Sequence, residues 1–179
     1  MQETFERLFD EYYDKVFVYM AFRVKNHQDA EDLTAEVFLK AFANQYNPEI
    51  ARFSTYVFTI ASNVLKNYYR STAKVRDVFS SEAPDITDVT DVLGDLITRE
   101  EYLGLKKALS ALPERQYEVV YRRYYLEQPF REIGVALGVS EDNAKKIHKR
   151  ALEKLRNLDN VHLFTTRMYN QNGGVKHRG

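Results

Sequence analysis

Residues 129–156 read PFREIGVALGVSEDNAKKIHKRALEKLR, and this stretch predicts two helices joined by a very short turn. The apolar side of the first helix recurs at the spacing i, i+3, i+4, i+7 and comprises Phe130, Ile133, Gly134 and Leu137. Gly138 then tolerates the positive φ of a helix end, and the Ser140 hydroxyl is suited to cap the next helix. Two helices so closely joined cross steeply, which is the geometry of a helix-turn-helix.

The second of these helices has an apolar and a basic face. The inward face comprises Ala144, Ile147, Ala151 and Leu155. The outward face comprises Lys145, Lys146, Lys149 and Arg156. A basic helix face of this kind suits the major groove of DNA. The simpler alternative is a solvated basic face on an ordinary helical hairpin.

The composition is that of an ordinary globular protein. The chain has 179 residues, of which 44% are hydrophobic and 29% are charged, and this excludes disorder throughout. It contains no cysteine, which fits a reducing cytoplasm. The acidic start MQETFERLFDEYY is unlike a signal peptide, and no apolar run reaches membrane-spanning length. We therefore expect a soluble cytoplasmic protein without membrane insertion.

The net charge of zero conceals a segregation of charge along the chain. The balance is −2 over residues 1–70, −5 over 71–104, +5 over 105–158 and +2 over 159–179. Because phosphate contacts supply most non-specific DNA affinity, a neutral chain is expected to hold DNA weakly by itself. A larger partner would supply the missing affinity.

The sequence predicts an all-α fold with two small helical domains, at 1–76 and 98–158. An acidic linker at 77–97 joins them, and a polar tail follows at 159–179. The linker is recognised by its turn residues and by spaced aspartates that interrupt any apolar period. These aspartates are Asp85, Asp88, Asp91 and Asp95.

The second domain is expected to contain about four helices, ending in the helix-turn-helix. Thr98 and Glu101 have the spacing of a capping box ahead of an apolar run. Pro113 is suited to open the next helix. The stripe of that helix is aromatic and aliphatic, and comprises Tyr117, Val120, Tyr121 and Tyr124.

The first domain begins with two amphipathic helices. One helical face in the first comprises Phe5, Leu8, Phe9, Tyr12, Val16, Tyr19 and Met20. Asp29 is predicted to cap the second, which runs to about Gln45 and turns Leu33, Val37 and Ala41 inward. Its acidic residues are expected outside, where they favour the positive end of the helix dipole, and comprise Asp29, Glu31, Asp32 and Glu36. A metal site is not expected, because His27 is the one nitrogen ligand nearby.

A third helix, within residues 52–70, carries a polar and aromatic face beside its apolar stripe. The stripe comprises Val57, Ile60, Ala61, Val64 and Tyr68. The other face comprises Tyr56, Thr59, Asn63, Lys66, Asn67 and Arg70. Aromatic rings that stack bases and cations that follow phosphates are what single-stranded nucleic acid requires. The simpler alternative is that the aromatic residues belong to the core.

In this order, the stretches resemble a sigma factor of the extracytoplasmic-function (ECF) group, the smallest bacterial transcription initiation factors of the sigma-70 family. The resemblance covers about 5–75 and 100–158. DAEDLTAEVFLK resembles the polymerase-clamp helix of the family, and FSTYVFTIASNVLKNYYR resembles its −10 reading helix. LPERQYEVVYRRYYLEQPFREIGVALGVSEDNAKKIHKRALEKLR resembles its −35 reading domain, although Ile147 and His148 stand where Arg and Leu are common.

The resemblance implies a partner, core RNA polymerase (its β′ clamp and β subunits), and promoter DNA as the nucleic acid. It implies polymerase binding by Asp32, Glu36, Phe38 and Lys40. It implies −10 DNA binding by the loop 46–53 and the adjoining helix, through Tyr46, Asn47, Arg52, Phe53, Tyr56, Asn63, Lys66, Asn67 and Arg70. It implies −35 DNA binding by Arg131, Ser140, Glu141, Asn143, Lys145, Lys146, Lys149 and Arg150.

The resemblance further implies that the acidic linker lies along the path of nascent RNA, where its charge could stand in for RNA phosphates. Many relatives are held by an anti-sigma protein, so one is a candidate partner, although no residue identifies it. The alternative function is a dimeric helix-turn-helix transcriptional regulator that binds a palindromic operator and has an N-terminal ligand- or partner-sensing helical domain. No enzyme activity, catalytic residue or cofactor is expected, since the chain has no cysteine, scattered histidines and no Gly-rich phosphate loop.

Overall fold

The computed structural model describes residues 2–73, 92 and 98–156, and every regular element in this part of the chain is a helix. The all-α prediction is confirmed. The chain divides into two compact units, unit 1 at Met1–Val92 and unit 2 at Leu93–Gly179. Unit 1 contains α1 (Gln2–Ala21), α2 (His27–Ala43) and α3 (Phe53–Ala73). Unit 2 contains α4 (Arg99–Ser110), α5 (Glu114–Tyr124), α6 (Phe130–Leu137) and α7 (Glu141–Arg156).

The N-cap of helix α2 lies three residues earlier than predicted. Asn26 is the N-cap, with φ −132° and ψ 162°, and its side chain accepts a hydrogen bond from the Asp29 N–H at 2.8 Å. The prediction that Asp29 caps this helix is therefore wrong. An amide oxygen serves as well as a carboxylate in this position, and Asp29 instead lies in the first turn. The inward positions Leu33, Val37 and Ala41 are buried as predicted.

Helix α3 buries a wider face than a single stripe. Val57, Ala61 and Val64 are buried as predicted, but Phe58 and Leu65 are buried as well. The predicted stripe residues Ile60 and Tyr68 are only half-buried. The broad buried face arises because α3 packs against both α1 and α2, and two neighbours cover more of a helix than one does.

Unit 2 starts with the predicted capping box. Thr98 Oγ1 accepts from the Glu101 N–H at 3.2 Å, and the Glu101 carboxylate accepts from the Thr98 N–H at 2.8 Å. The two reciprocal bonds satisfy donors that a helix start leaves without partners. Pro113 immediately precedes α5, also as predicted.

The turn between α6 and α7 has the predicted chemistry. Gly138 adopts the left-handed conformation at φ 66°, and the Ser140 hydroxyl accepts a hydrogen bond from the Asn143 N–H at 3.1 Å. A Cβ atom on Gly134 would lie 2.8 Å from the Val139 carbonyl oxygen, so the backbones cross closely at this glycine. A small core of Val119, Ile133 and Ala144 unites α5, α6 and α7.

Unit 2 also buries a charged network that periodicity did not reveal. Arg122 is 1% exposed, and its guanidinium donates to Glu118 Oε2 at 3.1 Å and to Gln128 Oε1 at 3.2 Å. A buried ion pair whose remaining donors are satisfied orders its surroundings, and removing one partner costs about 3–5 kcal/mol. This network fixes the end of α5 against the segment that leads into the helix-turn-helix.

Candidate polymerase- and DNA-binding surfaces

The outward face of α2 carries the predicted acidic residues. Asp32 is exposed and accepts a hydrogen bond from Gln28 Nε2 at 2.9 Å. Glu36 and Lys40 form an i, i+4 ion pair at 2.6 Å, with both side chains close to half exposed. Such surface pairs contribute little to stability, so these charges remain available to a partner.

Phe38 does not belong to this face. It is 2% exposed, and its ring packs against Phe9 at 4.7 Å and Tyr13 at 6.0 Å between ring centroids. The implied contact of Phe38 with polymerase is therefore wrong, because α1 covers the side chain. Periodicity did not show this, since the covering aromatic residues come from another helix.

Two apolar residues of α2 are exposed instead, and the sequence analysis missed them. Leu39 is 69% exposed and Phe42 is 53% exposed. They lie one helical turn apart and off the stripe of Leu33, Val37 and Ala41. Apolar residues outside the predicted inward face were the signal that could have found them. We call Asp32, Glu36, Leu39 and Phe42 the α2 outer face.

The loop between α2 and α3 is organised around aromatic rings. Tyr46 and Tyr56 lie 5.2 Å apart between ring centroids, at an angle of 38°. The Tyr46 hydroxyl donates to the Ala51 carbonyl at 3.0 Å, while the Tyr56 hydroxyl lies within hydrogen-bonding distance of the carbonyls of Ala41 and Asn44 at the end of α2. These bonds leave the rings half-buried and fix their positions.

Phe53 is a core residue rather than a base contact. It is 5% exposed, and its ring meets the rings of Tyr12 at 5.2 Å and Tyr46 at 5.1 Å. The implied role of Phe53 in contacting DNA is wrong, because four neighbouring aromatic rings, including those of Phe5 and Tyr56, surround it. By contrast, Asn47 and Arg52 are exposed in the same loop.

The polar face of α3 is present. Asn63, Asn67 and Arg70 are exposed, and Lys66 is half-buried. Beside this face, the Tyr68 hydroxyl donates to Asp29 Oδ2 at 2.6 Å, and the Tyr69 hydroxyl donates to the Arg23 carbonyl at 2.8 Å. Asp29 is thus half-buried and engaged with α3, not wholly outside as expected.

The predicted groove-facing residues of unit 2 are all exposed: Arg131, Ser140, Glu141, Asn143, Lys145, Lys146, Lys149 and Arg150. Lys145 pairs with Glu141 at 2.9 Å, and this hydrogen-bonded carboxylate raises the pKa of Lys145. On the opposite side, Ala144 and Ala151 are fully buried and Ile147 packs against the unit 2 core. The two-faced helix is confirmed.

His148 is a member of this helix that the sequence analysis left without a role. Its Nε2 atom lies 3.1 Å from the Tyr124 hydroxyl, and its ring meets the Phe130 ring edge-on at 5.0 Å between centroids. Burial, together with the nearby Arg123 guanidinium, lowers the pKa of His148 to about 4. The ring is therefore neutral at physiological pH and joins α7 to α5.

Two further findings concern the described part of the chain. No helix within residues 2–73 or 98–156 is long and apolar enough to cross a membrane. Nor do three or more His, Cys, Asp or Glu side chains in these ranges form a group that could hold a metal ion. The linker aspartates and the polar tail lie outside the described residues.

Known protein families match both units. The model of sigma-70 region 2 matches residues 8–75, and the model of sigma-70 region 4 matches residues 108–157. The ECF RNA polymerase sigma factor BldN of Streptomyces coelicolor is 28% identical over 159 residues, which cover 87% of this chain and 60% of that protein. The ECF RNA polymerase sigma factor SigX of Bacillus subtilis is 27% identical over 163 residues, which cover 87% of this chain and 84% of that protein.

Solved structures show the same fold. CnrH, in complex with the cytosolic domain of CnrY, matches with a TM-score of 0.65 at 19% identity over 90% of each chain. The sigma factor RpoE of Bartonella quintana, in complex with the anti-sigma factor NepR, matches with a TM-score of 0.65 at 20% identity over 87% of this chain and 96% of the other.

The chain belongs to the sigma-70 family of RNA polymerase sigma factors, and within that family to the ECF group. It is accordingly a factor that directs promoter recognition. The dimeric regulator is not favoured, because residues 8–75 match sigma-70 region 2 and not merely a sensing domain.

Proposed function

We propose that this chain binds core RNA polymerase through the α2 outer face and promoter DNA through α3 and α7. The observation that carries the proposal is the exposure of three separate polar faces on these helices, each within a segment that a sigma-70 region matches. We assign no catalytic reaction and no cofactor to the chain, and we place its action in the cytoplasm.

The α2 outer face has the composition of a docking surface. Leu39 and Phe42 supply exposed apolar area one turn apart, and Asp32 and Glu36 supply negative charge beside it. Apolar anchors surrounded by a polar rim are typical of protein interfaces, in which a few residues dominate the affinity. The acidic rim would favour a basic surface on the β′ clamp and accelerate association.

The surfaces of α3 and the loop before it suit an opened DNA strand. Exposed amides and a guanidinium on α3 can contact the backbone, while the half-buried Tyr46 and Tyr56 rings can receive a base. Because both hydroxyls are already bound to backbone carbonyls, the ring faces rather than the polar tips are the parts available for stacking.

The basic face of α7 suits the −35 duplex. The helix presents lysines outward while its apolar side is fixed to α5 and α6, so the whole helix can enter a major groove as a rigid body. The linker aspartates keep their proposed role beside nascent RNA. An anti-sigma protein that covers the α2 outer face would block polymerase binding, and we propose such a protein as a regulatory partner.

The polymerase dock is tested with Leu39→Ser. Removing a central apolar anchor should weaken binding to core polymerase by about 10-fold, since such truncations cost about 1–2 kcal/mol. The matched control is Leu103→Ser, which removes an exposed leucine from α4 in unit 2. Affinities are measured by fluorescence anisotropy of the labelled full chain, followed by run-off transcription.

Equal affinities for Leu39→Ser and the parent would contradict the placement of the dock. No run-off product from the parent on any genomic promoter fragment would contradict the proposed function as a whole.

A further inference from the structure

The C-terminal part of α3 is attached to the start of α2 by one side-chain hydrogen bond that spans 39 residues of sequence. The Tyr68 hydroxyl donates to Asp29 Oδ2 at 2.6 Å. A phenol bound to a carboxylate makes a charge-assisted hydrogen bond, which is shorter and stronger than a neutral one. Helix packing alone does not require this bond, because a phenylalanine at position 68 would fill nearly the same space.

The carboxylate is itself held in place. Asn26 Nδ2 donates to Asp29 Oδ2 at 3.3 Å, and Asn26 Oδ1 accepts from the Asp29 N–H at 2.8 Å while capping α2. The Asp29 carboxylate that accepts from Tyr68 is therefore held in place at the start of α2. Burial and this carboxylate both raise the pKa of Tyr68, so its hydroxyl keeps the proton that it donates.

The two ends of this bond lie beside the two proposed binding surfaces. Asp29 is three residues before Asp32 of the α2 outer face, which places both on neighbouring turns of one helix. Tyr68 directly follows Asn67 and is two residues from Arg70, both on the strand-contacting face of α3. This hydrogen bond thus joins the first turn of the proposed polymerase-docking helix to the C-terminal part of the proposed DNA-contacting helix, whereas the Tyr56 hydroxyl joins α3 to the other end of α2.

We propose that Tyr68 is a positioning residue for promoter opening, which acts through Asp29 to hold the strand-contacting turn of α3 in register with the polymerase-docking helix. This rests on the proposed function, since it presupposes that α2 docks and α3 contacts the strand. The neighbouring tyrosine supplies a natural comparison, because the Tyr69 hydroxyl donates to the Arg23 carbonyl, which lies before α2 begins.

The experiment compares Tyr68→Phe with Tyr69→Phe in the full chain assembled with core polymerase. Open complex is read as permanganate reactivity of unpaired thymines, at a temperature where circular dichroism shows each variant folded. Tyr68→Phe should reduce the open complex by about 5-fold or more, as expected for loss of a hydrogen bond to a charged group, while affinity for polymerase stays within about 2-fold of the parent. Tyr69→Phe should open the promoter like the parent.

A double-mutant cycle tests whether Tyr68 affects promoter opening through Asp29. Asp29→Ala should impair opening, and adding Tyr68→Phe to it should cause no further loss, because both changes remove the same bond. Asp29→Asn keeps an acceptor oxygen and should fall between the parent and Asp29→Ala. If the hydrogen bond only stabilised the fold, these substitutions would lower the melting temperature, but the folded variants would not show this non-additive loss of promoter opening.

Hydrogen exchange on the free chain separates this inference from the proposed function. Tyr68→Phe should accelerate exchange of the amides at 66–70 by about 5-fold and leave the middle of α2 unchanged. The inference is overturned if the amides at 66–70 exchange in Tyr68→Phe as they do in the parent. It is also overturned if the losses of promoter opening in the Asp29→Ala and Tyr68→Phe cycle are additive. A parent that binds polymerase but opens no promoter overturns the proposed function, and with it any role for Tyr68 in opening.

Discussion

At the scale of single residues, His148 attaches α7, the helix that we propose enters the DNA major groove, to the rest of unit 2. Its neutral ring lies against Phe130 and within hydrogen-bonding distance of the Tyr124 hydroxyl, on the side of α7 turned away from the lysines. Leucine is common at this position in the resembling family, and it would pack there without a polar contact. Histidine makes the same junction sensitive to acid.

We predict that unit 2 loses stability as the pH falls from about 6.5 toward 4 because of His148. The pKa of this ring is about 4 in the folded chain and 6.5 ordinarily, so the unfolded chain binds the proton more readily within that window. The contribution is complete above about pH 6.5 and is lost on acidification. Allowing for solvent around a half-exposed ring, it is on the order of 1–2 kcal/mol.

Denaturant unfolding of the parent and of His148→Leu, at about pH 7 and about pH 4.5, measures this effect. The parent should lose more free energy of unfolding than the variant between the two conditions. If the parent and His148→Leu lost the same free energy of unfolding, protonation of the His148 ring would not be coupled to the stability of the fold.

At the scale of elements, local chemistry predicted helix ends and faces well. The Gly138 turn, the Ser140 cap, the Thr98 capping box and the basic face of α7 all depend on residues a few positions apart. Phe38 and Phe53 could not be placed in this way, because aromatic residues distant in sequence bury them. The cap at Asn26 was missed because the acidic run after it offered several plausible starts.

We predict that any side chain larger than hydrogen at position 134 pushes α6 and α7 apart. A Cβ atom there would lie 2.8 Å from the Val139 carbonyl oxygen, which belongs to the backbone and cannot rotate away. Gly134→Ala should itself cost about 1–3 kcal/mol, because the improved helix propensity of about 1 kcal/mol offsets only part of the strain. Gly134→Val should cost about 2–4 kcal/mol.

Denaturant unfolding of both variants tests this grading, with duplex binding measured in parallel. The valine variant should also bind −35 DNA less tightly at temperatures where it is folded, since the angle of α7 is disturbed. A valine variant as stable as the parent would show that the crossing is looser than the structure describes.

At the scale of the whole molecule, charge explains why the chain is expected to act with a partner. The net charge is zero, and the largest excess of positive charge, +5, lies in residues 105–158. An acidic stretch precedes this segment, so the free chain presents DNA with little overall attraction. Bound polymerase would change this balance by holding unit 2 near the duplex, where the few lysines of α7 suffice.

We predict that the free chain binds a −35 duplex weakly at physiological salt, whereas the holoenzyme binds it specifically and with a salt dependence to which α7 contributes. Lys149 is exposed on the outward face of α7 and is a proposed phosphate contact. In the holoenzyme, Lys149→Ala should reduce the slope of log K against log salt by about one and weaken binding nearly equally on different −35 sequences.

Lys107→Ala, which removes an exposed lysine of α4, is the control and should leave the slope unchanged. Binding of labelled duplex titrated over several salt concentrations measures both slopes. A slope that is the same in Lys149→Ala and the parent would remove this lysine from the phosphate contacts, whereas tight specific binding by the free chain would contradict the dependence on polymerase.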